Sequence, residues 1–360
     1  MKGFQYKRIV VKVGSNVLTL ADGTLDFDRM KSLVDQVAVL HAKGVEVVLV
    51  SSGAVASGRS ALNLNKKLDP VSARQVFSAV GQAKLINRYY ELFAEHKMFC
   101  GQVLTMKENF GTRRHYLNQK NCMTEMLACG VIPIVNENDT ISVTELMFTD
   151  NDELSGLIAT MMNAEALIIL SNIDGIYDGN PADSSSKVIR EVRQEKNLSQ
   201  YIQSGKSSFG RGGMLTKCNI ARKVAEEGIP VFIANGKKNN ILIELLQNPE
   251  QTVSTKFVPS DNATSSVKKW IAHSEGFAKG EVHINRGAAE ALAQKASSLL
   301  FVGVTDIKGD FEKDDIVKIF DEDGNELGVG RAQYDSEKAR TLIGKKGVRP
   351  LVHYDYLYLD

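Results

Sequence analysis

The chain has 360 residues, of which 43% are hydrophobic and 24% are charged, and its formal net charge is +1. This length favours two or three domains, and so small a net charge provides no global field that would attract nucleic acid or a membrane surface. No apolar run reaches the ~18–20 residues that span a bilayer, and the N-terminus lacks the apolar region of a signal peptide. We therefore expect a globular protein of the cytoplasm.

The four cysteines and six histidines show no spacing typical of a metal site. CxxC pairs and HExxH are both missing from the sequence. We expect four reduced and mostly buried thiols, and we assign no residue of the chain as a metal ligand. The cysteines are Cys100, Cys122, Cys129 and Cys218.

Helical patterns alternate along the chain with short runs rich in valine and isoleucine. Three of these patterns end at a glycine, Gly44, Gly130 and Gly228, and an apolar run begins at once. Glycine suits the left-handed end of a helix, and continuous apolar runs are typical of parallel strands that are covered on both faces. The sequence therefore predicts an α/β fold, with an open and mainly parallel sheet sandwiched by helices. Ligands of such sheets bind beyond the carboxyl ends of the strands.

The first predicted strand, RIVVKV, carries Lys12 and leads into Gly14. A buried lysine needs an anionic partner, and a glycine lets backbone N–H groups approach a phosphate. Neither a Walker A loop nor a GxGxxG fingerprint is present, so K-x-G is a weak signal by itself. A lysine that extends from the strand end into solvent would give the same pattern.

Polar loops follow the next strands at the same predicted edge. SSGAVASG, with Ser52 and Gly53, opens a helix whose N–H groups would suit an anion. VNENDT carries Asn136 and Asp139, and such a mix suits a small zwitterion whose ammonium group would meet Asp139. Each loop read alone is also an ordinary turn or helix cap.

Two further segments complete this edge. FTDNDELSG places Asp150, Asn151 and Asp152 at a helix start, where capping needs only one such residue. GRGGMLTK places Lys217 in an early turn of a helix, a position that the helix dipole disfavours unless an anion is near. We predict that Asp152 holds Lys12 and Lys217. A carboxylate substrate is already ionised at neutral pH, so phosphoryl transfer to it needs positioning and charge neutralisation rather than a general base.

The alternation of helical patterns and apolar strands weakens after about residue 250, and short β-like runs follow. We predict a catalytic domain at 1–255, a linker at 256–275 and a small, mainly β domain at 276–360. The last 85 residues carry 12 Lys/Arg and 15 Asp/Glu, which disfavours binding of nucleic acid. Tyr354, Tyr356 and Tyr358 alternate along the last strand and are expected on one face of it.

Taken together and in order, these motifs resemble the glutamate 5-kinase family of the amino acid kinase superfamily. The motifs are K-x-G, SSGAVASGR, VNENDT, FTDNDELS, SNIDGIYDGNP and GGMLTK. The segment from about residue 276 resembles the PUA domain that many bacterial members carry. The resemblance implies ATP and Mg²⁺ as cofactors, L-glutamate as substrate, transfer to its γ-carboxylate in proline biosynthesis, possible feedback inhibition by proline, and a homo-oligomer.

The resemblance also implies roles for individual residues. Lys12 and Lys217 would contact the transferring phosphoryl group, and Asp152 would orient them. Glutamate would be bound by Ser52, Gly53, Asn136, Asp139 and Asn151. ATP would be bound by Lys12, Gly14, Ser171, Asn172, Arg211, Gly212, Gly213, Met214, Leu215, Thr216 and Lys217.

Four positions depart from the pattern common in the family. Ser51 stands where the family often has Thr, and Ser171 and Asn172 stand where it often has Thr-Asp. Arg211 stands where the family often has Thr. We expect Arg211 to contribute to ATP binding. The alternatives are a sister kinase of the same fold that acts on another small substrate, an RNA-binding or regulatory protein, and a pseudoenzyme. Both lysines and Asp152 are present, which disfavours the pseudoenzyme.

Overall fold

A computed structural model of the chain describes residues 4–62, 68–111, 113–141, 150–181, 183, 185–193, 213–260, 278–294 and 297–359. These residues divide into two compact units, one formed by 4–107 and 120–260 and the other by 108–119 and 278–359. The predicted domain limits stay a prediction, since most of the expected linker lies outside the described residues. Among the described helices, none has the length and apolar character needed to cross a bilayer.

The first unit is built on an eight-stranded sheet. Its strands are β1 (Arg8–Val13), β2 (Glu46–Ser51), β3 (Phe99–Thr105), β4 (Val131–Glu137), β5 (Ala166–Ser171), β6 (Glu191–Val192), β7 (Val231–Asn235) and β8 (Ser254–Phe257). The order across the sheet is β3-β4-β2-β1-β5-β7-β8-β6. The pairs from β3 to β7 are parallel, and β8 runs antiparallel to β7. The predicted fold class is confirmed.

Helices lie between these strands in the sequence, and residues 108–119 among them belong to the second unit. They are α1 (Ser15–Leu18), α2 (Phe27–Ala42), α3 (Ala54–Ala61), α4 (Pro70–Glu95), α5 (Glu108–Gly111), α6 (Arg113–Ala128), α7 (Asn151–Met161), α8 (Met214–Glu226) and α9 (Ile241–Gln247). The glycines predicted to end three helices, Gly44, Gly130 and Gly228, have φ of 80°, 72° and 86°. Side chains with a Cβ rarely adopt this conformation, which explains why glycine marks each boundary.

The central strands are buried on both faces. Ile9, Val11 and Val13 of β1 pack into a core with apolar residues of α2, α4 and α9. Val10, whose side chain points the other way, is also fully buried, and α7 packs against β1 and β5. Lys12 lies on the same face of β1 as Val10, close to the end of the strand. Its ammonium group therefore lies at the carboxyl edge of the sheet.

Helices α3 and α4 cross at two glycines. A Cβ built on Gly81 would lie 1.8 Å from the carbonyl oxygen of Ala54, and one built on Gly58 would lie 1.8 Å from that of Phe77. The two backbones therefore touch, and neither glycine can be replaced without moving a helix. Since α3 begins directly after Gly53, this crossing fixes the loop that carries Ser52.

The second unit contains a five-stranded sheet with its own core. The strands are β9 (Gly280–Ile284), β10 (Val304–Gly309), β11 (Ile316–Phe320), β12 (Glu326–Ala332) and β13 (Val352–Leu359), in the order β10-β9-β11-β12-β13. Helices α10 (Arg286–Gln294) and α11 (Ser336–Leu342) belong to this unit. Val352 and Leu357 of β13 are buried, Tyr354 is exposed, and Tyr356 and Tyr358 are half-buried, so the prediction that the three tyrosines share one face stays a prediction.

The four cysteines are all free, as predicted. Cys100 and Cys218 are buried, but Cys122 and Cys129 are exposed. The expectation that most of the thiols are buried is therefore wrong for these two residues. Cys122 lies on α6, and Cys129 directly follows the last residue of that helix.

Candidate functional site

The lysine in the first strand is held by a buried carboxylate. The Nζ atom of Lys12 lies 2.6 Å from Oδ1 of Asp152, and the Nζ atom of Lys217 lies 2.7 Å from Oδ2 of the same residue. The Asp152 side chain is fully buried, and the side chains of Lys12 and Lys217 are only 6% and 13% exposed. The predicted convergence of both lysines on Asp152 is thus present in the geometry.

Local sequence explains how α7 and α8 present these groups. Asp150 caps α7, because its side chain accepts hydrogen bonds from the backbone N–H groups of Asp152 (2.8 Å) and Glu153 (3.2 Å). The carboxylate of Asp152 is therefore not needed as a cap and can turn to the lysines. Helix α8 begins after Gly213, so Lys217 lies in its first turn.

Two opposing effects set the charge states of this cluster. Burial by itself raises the pKa of Asp152, but the ammonium groups of Lys12 and Lys217 outweigh it, and the net pKa lies below its ordinary value. Burial likewise tends to lower the pKa of Lys217, and the Asp152 carboxylate reverses this and raises it. Asp152 is therefore deprotonated near neutral pH, and the ammonium groups of Lys12 and Lys217 share its one carboxylate and keep donor capacity for an anion.

Asp150 has a different environment from Asp152. Burial, and then the neighbouring Asp152 carboxylate, raise the pKa of Asp150 above its ordinary value. Its Oδ2 atom is buried and has no hydrogen-bond partner among the described residues. A buried carboxylate oxygen without a partner is costly, so this atom is suited to a cation or a donor that arrives with a ligand.

A second group of polar side chains lies in the same cleft and is joined by hydrogen bonds. Nδ2 of Asn151 donates to Oγ of Ser52 (3.0 Å) and to Oδ1 of Asn136 (3.0 Å). Gly53 adopts φ of 104° between β2 and α3, so the chain turns sharply and presents Ser52 at the cleft. Four of the five residues predicted to bind a small amino acid are thus neighbours, with Gly53 supplying the turn.

Asp139, the fifth predicted ligand, is also in the cleft but is already paired. Arg74 of α4 donates to Oδ1 of Asp139 from Nε at 2.7 Å and also from Nη2. Nη2 also lies 2.9 Å from Oε2 of Glu137. Sequence reasoning missed both Arg74 and Glu137. The only signal for Arg74 was a basic residue near the start of a helix, where the dipole disfavours it.

The cleft encloses about 690 Å³ and brings most of the predicted residues together. Its lining includes Lys12, Gly14, Ser52, Gly53, Asn136, Asp139, Asn151, Asp152, Ser171, Asn172, Gly213, Met214 and Lys217. Leu215 and Thr216 do not line it, and Leu215 is 51% exposed. Arg211 and Gly212 lie outside the described residues, so their predicted contacts with ATP stay predictions.

Gly14 is the other half of the K-x-G signal. Its backbone N–H donates to the carbonyl oxygen of Leu170 at 3.2 Å, and a Cβ built on it would lie 3.6 Å from Nζ of Lys12. Glycine therefore keeps space open beside the lysine ammonium group. Arg59 also lines the cleft and lies over the ring of Phe77, 5.7 Å from its centroid; sequence reasoning did not single it out.

Comparisons with known proteins agree with this geometry. Residues 7–235 match the amino acid kinase family, and residues 280–354 match the PUA domain. The chain belongs to the amino acid kinase family. A relative from Bacteroides thetaiotaomicron named glutamate 5-kinase is 70% identical, with 99% of each chain covered. A second relative of that name, from Chlorobaculum tepidum, is 50% identical, with 98% of each chain covered.

A solved structure supports the fold of the first unit. The isopentenyl phosphate kinase substrate complex aligns with a TM-score of 0.50, covering 70% of this chain and 99% of that chain, at 16% sequence identity. Identity this low supports the fold alone. The sequence matches confirm the family predicted from the motifs. The alignment with the solved structure supports the predicted sheet architecture.

Proposed function

We propose that this protein transfers the γ-phosphoryl group of ATP to the γ-carboxylate of L-glutamate and forms L-glutamyl 5-phosphate, the first step of proline biosynthesis. The observation that carries the proposal is the single cleft in which two lysines converge on Asp152 beside Ser52, Asn136 and Asn151. One part of that cleft suits phosphates and the other suits a small amino acid. The names of the relatives at 70% and 50% identity support glutamate over other carboxylates.

The chemistry needs no general base. The glutamate γ-carboxylate is ionised at neutral pH, since the ordinary pKa of such a group is ~4. One of its oxygens forms a bond to the γ-phosphorus, the bond from that phosphorus to the bridging oxygen breaks, and ADP leaves with the electron pair. Lys12 and Lys217 neutralise charge on the transferring group, and Asp152 keeps both ammonium groups charged and aimed.

The binding roles follow from the positions in the cleft. We assign glutamate to Ser52, Gly53, Asn136, Asp139 and Asn151, which hydrogen bonds and β-strand ends hold together. We assign ATP to Lys12, Gly14, Ser171, Asn172, Gly213, Met214 and Lys217. Arg211, Gly212, Leu215 and Thr216 stay in the proposal as parts of the second nucleotide loop.

Mg²⁺ fits this cleft as a partner of the nucleotide. Among the described residues no group of three or more His, Cys, Asp or Glu side chains is placed to hold an ion, so this part of the chain offers no complete cage. Mg²⁺ is commonly held by one or two carboxylates together with substrate phosphates. The unpartnered Oδ2 of Asp150 is the atom that would hold it, and the ion would supply further charge neutralisation on the phosphates.

The test is ADP release by the purified protein with Mg-ATP and one acceptor at a time. The acceptors are L-glutamate, L-aspartate, N-acetyl-L-glutamate, carbamate and UMP, and hydroxylamine traps any acyl phosphate as a hydroxamate. Turnover and hydroxamate with glutamate alone are expected. Turnover with another acceptor would replace glutamate by that substrate, and no turnover with any of them would overturn the proposal.

Inhibition by proline and a homo-oligomeric state stay predictions of the family resemblance. A cytoplasmic location and the absence of nucleic acid binding stay predictions from composition and charge. All but the location are open to direct measurement on the same purified protein, beginning with glutamate kinetics in the presence of proline.

A further inference from the structure

One face of α4 contacts the end of β4 and the loop that follows it over three successive turns. Arg74, Ser78 and Gln82 are spaced four residues apart, so they lie in a stripe along one side of the helix. The Ser78 hydroxyl donates to Oδ2 of Asp139 at 3.3 Å, and Oε1 of Gln82 accepts from Nδ2 of Asn136 at 2.8 Å. Each of these three side chains thus holds a residue of the cleft.

Arg74 makes the strongest of these contacts. Its guanidinium donates to Oδ1 of Asp139 from two nitrogen atoms and to Oε2 of Glu137 from one of them. The Asp139 side chain is 7% exposed and that of Arg74 is 20% exposed. A charge-assisted contact from two guanidinium nitrogens to one carboxylate oxygen at low exposure fixes the position of that oxygen.

The pairing changes what Asp139 can offer to a ligand. Arg74 occupies Oδ1, and Ser78 reaches Oδ2 over a longer distance, so Oδ2 keeps acceptor capacity toward the cleft. An ammonium group bound there would meet a carboxylate that is already oriented. Without Arg74, Asp139 would be a buried charge whose remaining partner among the described residues is one hydroxyl group, and burial of such a charge is costly.

We propose that Arg74 is a positioning residue for amino acid recognition, which acts by holding Asp139 against the substrate's α-ammonium group. This inference rests on the proposed function, because it takes the acceptor to be an α-amino acid. It adds a residue outside the polar loops that follow the strands. It also gives α4 a role in substrate specificity rather than in packing alone.

The experiment compares Arg74→Met and Arg74→Lys with the unchanged protein and with Arg88→Met. Arg88 lies on the same helix, pairs with Glu91 at 2.9 Å and does not line the cleft, so it is a matched control. Steady-state kinetics use L-glutamate, glutarate, which lacks only the α-amino group, and L-isoglutamine, whose α-carboxylate is an amide. Thermal melting reports whether each variant is folded.

For Arg74→Met we expect KM for glutamate to rise at least about tenfold, as loss of a charge-assisted hydrogen bond predicts. The kcat and the KM for ATP should change by less than about threefold, because the phosphate-binding lysines are untouched. The preference for glutamate over glutarate should fall by about the same factor, and the preference over isoglutamine should stay. Arg74→Lys should recover part of the loss, since one ammonium group can reach Asp139 but cannot form the fork.

Three outcomes would overturn the inference. Equal losses with all three acceptors would make Arg74 structural only. Loss of the preference over isoglutamine alone would mean that Arg74 binds the α-carboxylate directly. An unchanged or lower KM for glutamate would mean that Asp139 does not need Arg74 to bind the substrate. If the unchanged protein itself does not use glutamate, the proposed function fails first, and calorimetric binding of glutamate to the same variants still decides the role of Arg74.

Discussion

The two units use charge in opposite ways. In the first unit, Asp152 is fully buried and binds two lysines whose side chains are 6% and 13% exposed. In the second unit, Arg286 and Glu290 form a pair on α10 whose side chains are 85% and 58% exposed. Exposed pairs contribute little to stability because solvent screens them and their side chains lose entropy. The buried cluster needs another explanation.

A buried ion cluster is poor evidence for stability by itself. Desolvation of three charged groups costs several kcal/mol per ion, and a well-packed apolar cluster of the same volume is often as stable or more stable. In this cluster the ammonium groups of Lys12 and Lys217 also share the single carboxylate of Asp152. We infer that this arrangement is retained for an anionic ligand, and the predictions below test the contrast with the second unit.

The largest effect is expected from Asp152→Asn. The amide has almost the same shape but cannot neutralise Lys12 and Lys217. The two ammonium groups then repel each other and are no longer held in position. We expect kcat to fall roughly a thousandfold, since loss of one positioned charge-stabilising group costs about 10²–10³ in rate. Initial rates of ADP release with saturating glutamate and ATP measure this.

The matched control is Asp174→Asn, another aspartate at the carboxyl edge of the sheet. Asp174 pairs with the half-exposed Lys238 at 2.9 Å and does not line the cleft, so kcat should stay within about twofold for a surface pair of this kind. An Asp152→Asn enzyme with kcat near that of the control would contradict the role of Asp152.

The same substitution should also lower stability in a way that depends on pH. Removal of one partner from a buried ion pair costs about 3–5 kcal/mol, and this loss is expected near pH 7. Because folding lowers the pKa of Asp152, its carboxylate contributes stability above its unfolded pKa of ~4, and that contribution disappears as pH falls through the lower folded pKa. The difference between the two proteins should therefore shrink below pH ~4.

Urea unfolding followed by circular dichroism at pH 7, 5, 4 and 3 measures this difference. A difference that stays constant over the whole range would mean that the pKa of Asp152 is not lowered by folding. The exposed pair on α10 is expected to show no comparable trend, since neither of its members is removed from water.

Much of the fold and the lysine–aspartate half of the candidate site could be predicted from the chain alone. Gly44, Gly130 and Gly228 marked helix ends because only glycine adopts the required φ cheaply, and this is a local property. The link between Lys12 and Asp152 followed from the cost of a buried lysine, which demands an anion. Each of these arguments uses a rule that can be applied to one short segment of the sequence without knowledge of the rest.

Features that depend on approach between distant segments could not be predicted. Arg74 lies 65 residues from Asp139. Nothing in the sequence around Arg74 indicates which loop its side chain reaches. The contact between Gly58 and Gly81 has the same character, because a glycine within a helix has no local sign of what it touches. Exposure of Cys122 and Cys129 was missed because cysteine burial was taken from a general tendency.

The crossing of α3 and α4 supplies the third prediction. Gly81→Ala would place a Cβ 1.8 Å from the carbonyl oxygen of Ala54, so one helix must move. We expect a loss of about 1–3 kcal/mol of stability from overpacking. KM for glutamate should also rise, since α3 begins at the turn that presents Ser52. Urea unfolding and steady-state kinetics on one preparation measure both.

A glycine of the second unit provides the control for this change. Gly324 has φ of 81° but nothing within 4 Å of a Cβ built on it, so Gly324→Ala should cost about 1–2 kcal/mol through backbone strain alone and leave KM unchanged. If Gly81→Ala also leaves KM unchanged, the helix crossing does not position the Ser52 loop.

The smallest effect is expected from Arg286→Ala on α10. Its pair with Glu290 is an i,i+4 contact at 3.0 Å between highly exposed groups, and such pairs contribute about 0.3–0.5 kcal/mol. The free energy of unfolding should therefore change by less than about 0.5 kcal/mol, and the change should vanish at high salt because exposed charges are screened there. Urea unfolding at low and high salt measures this. A loss as large as that of Asp152→Asn would mean that burial does not separate the two classes of ion pair, and the argument that the Asp152 cluster is kept for its ligand would lose its basis.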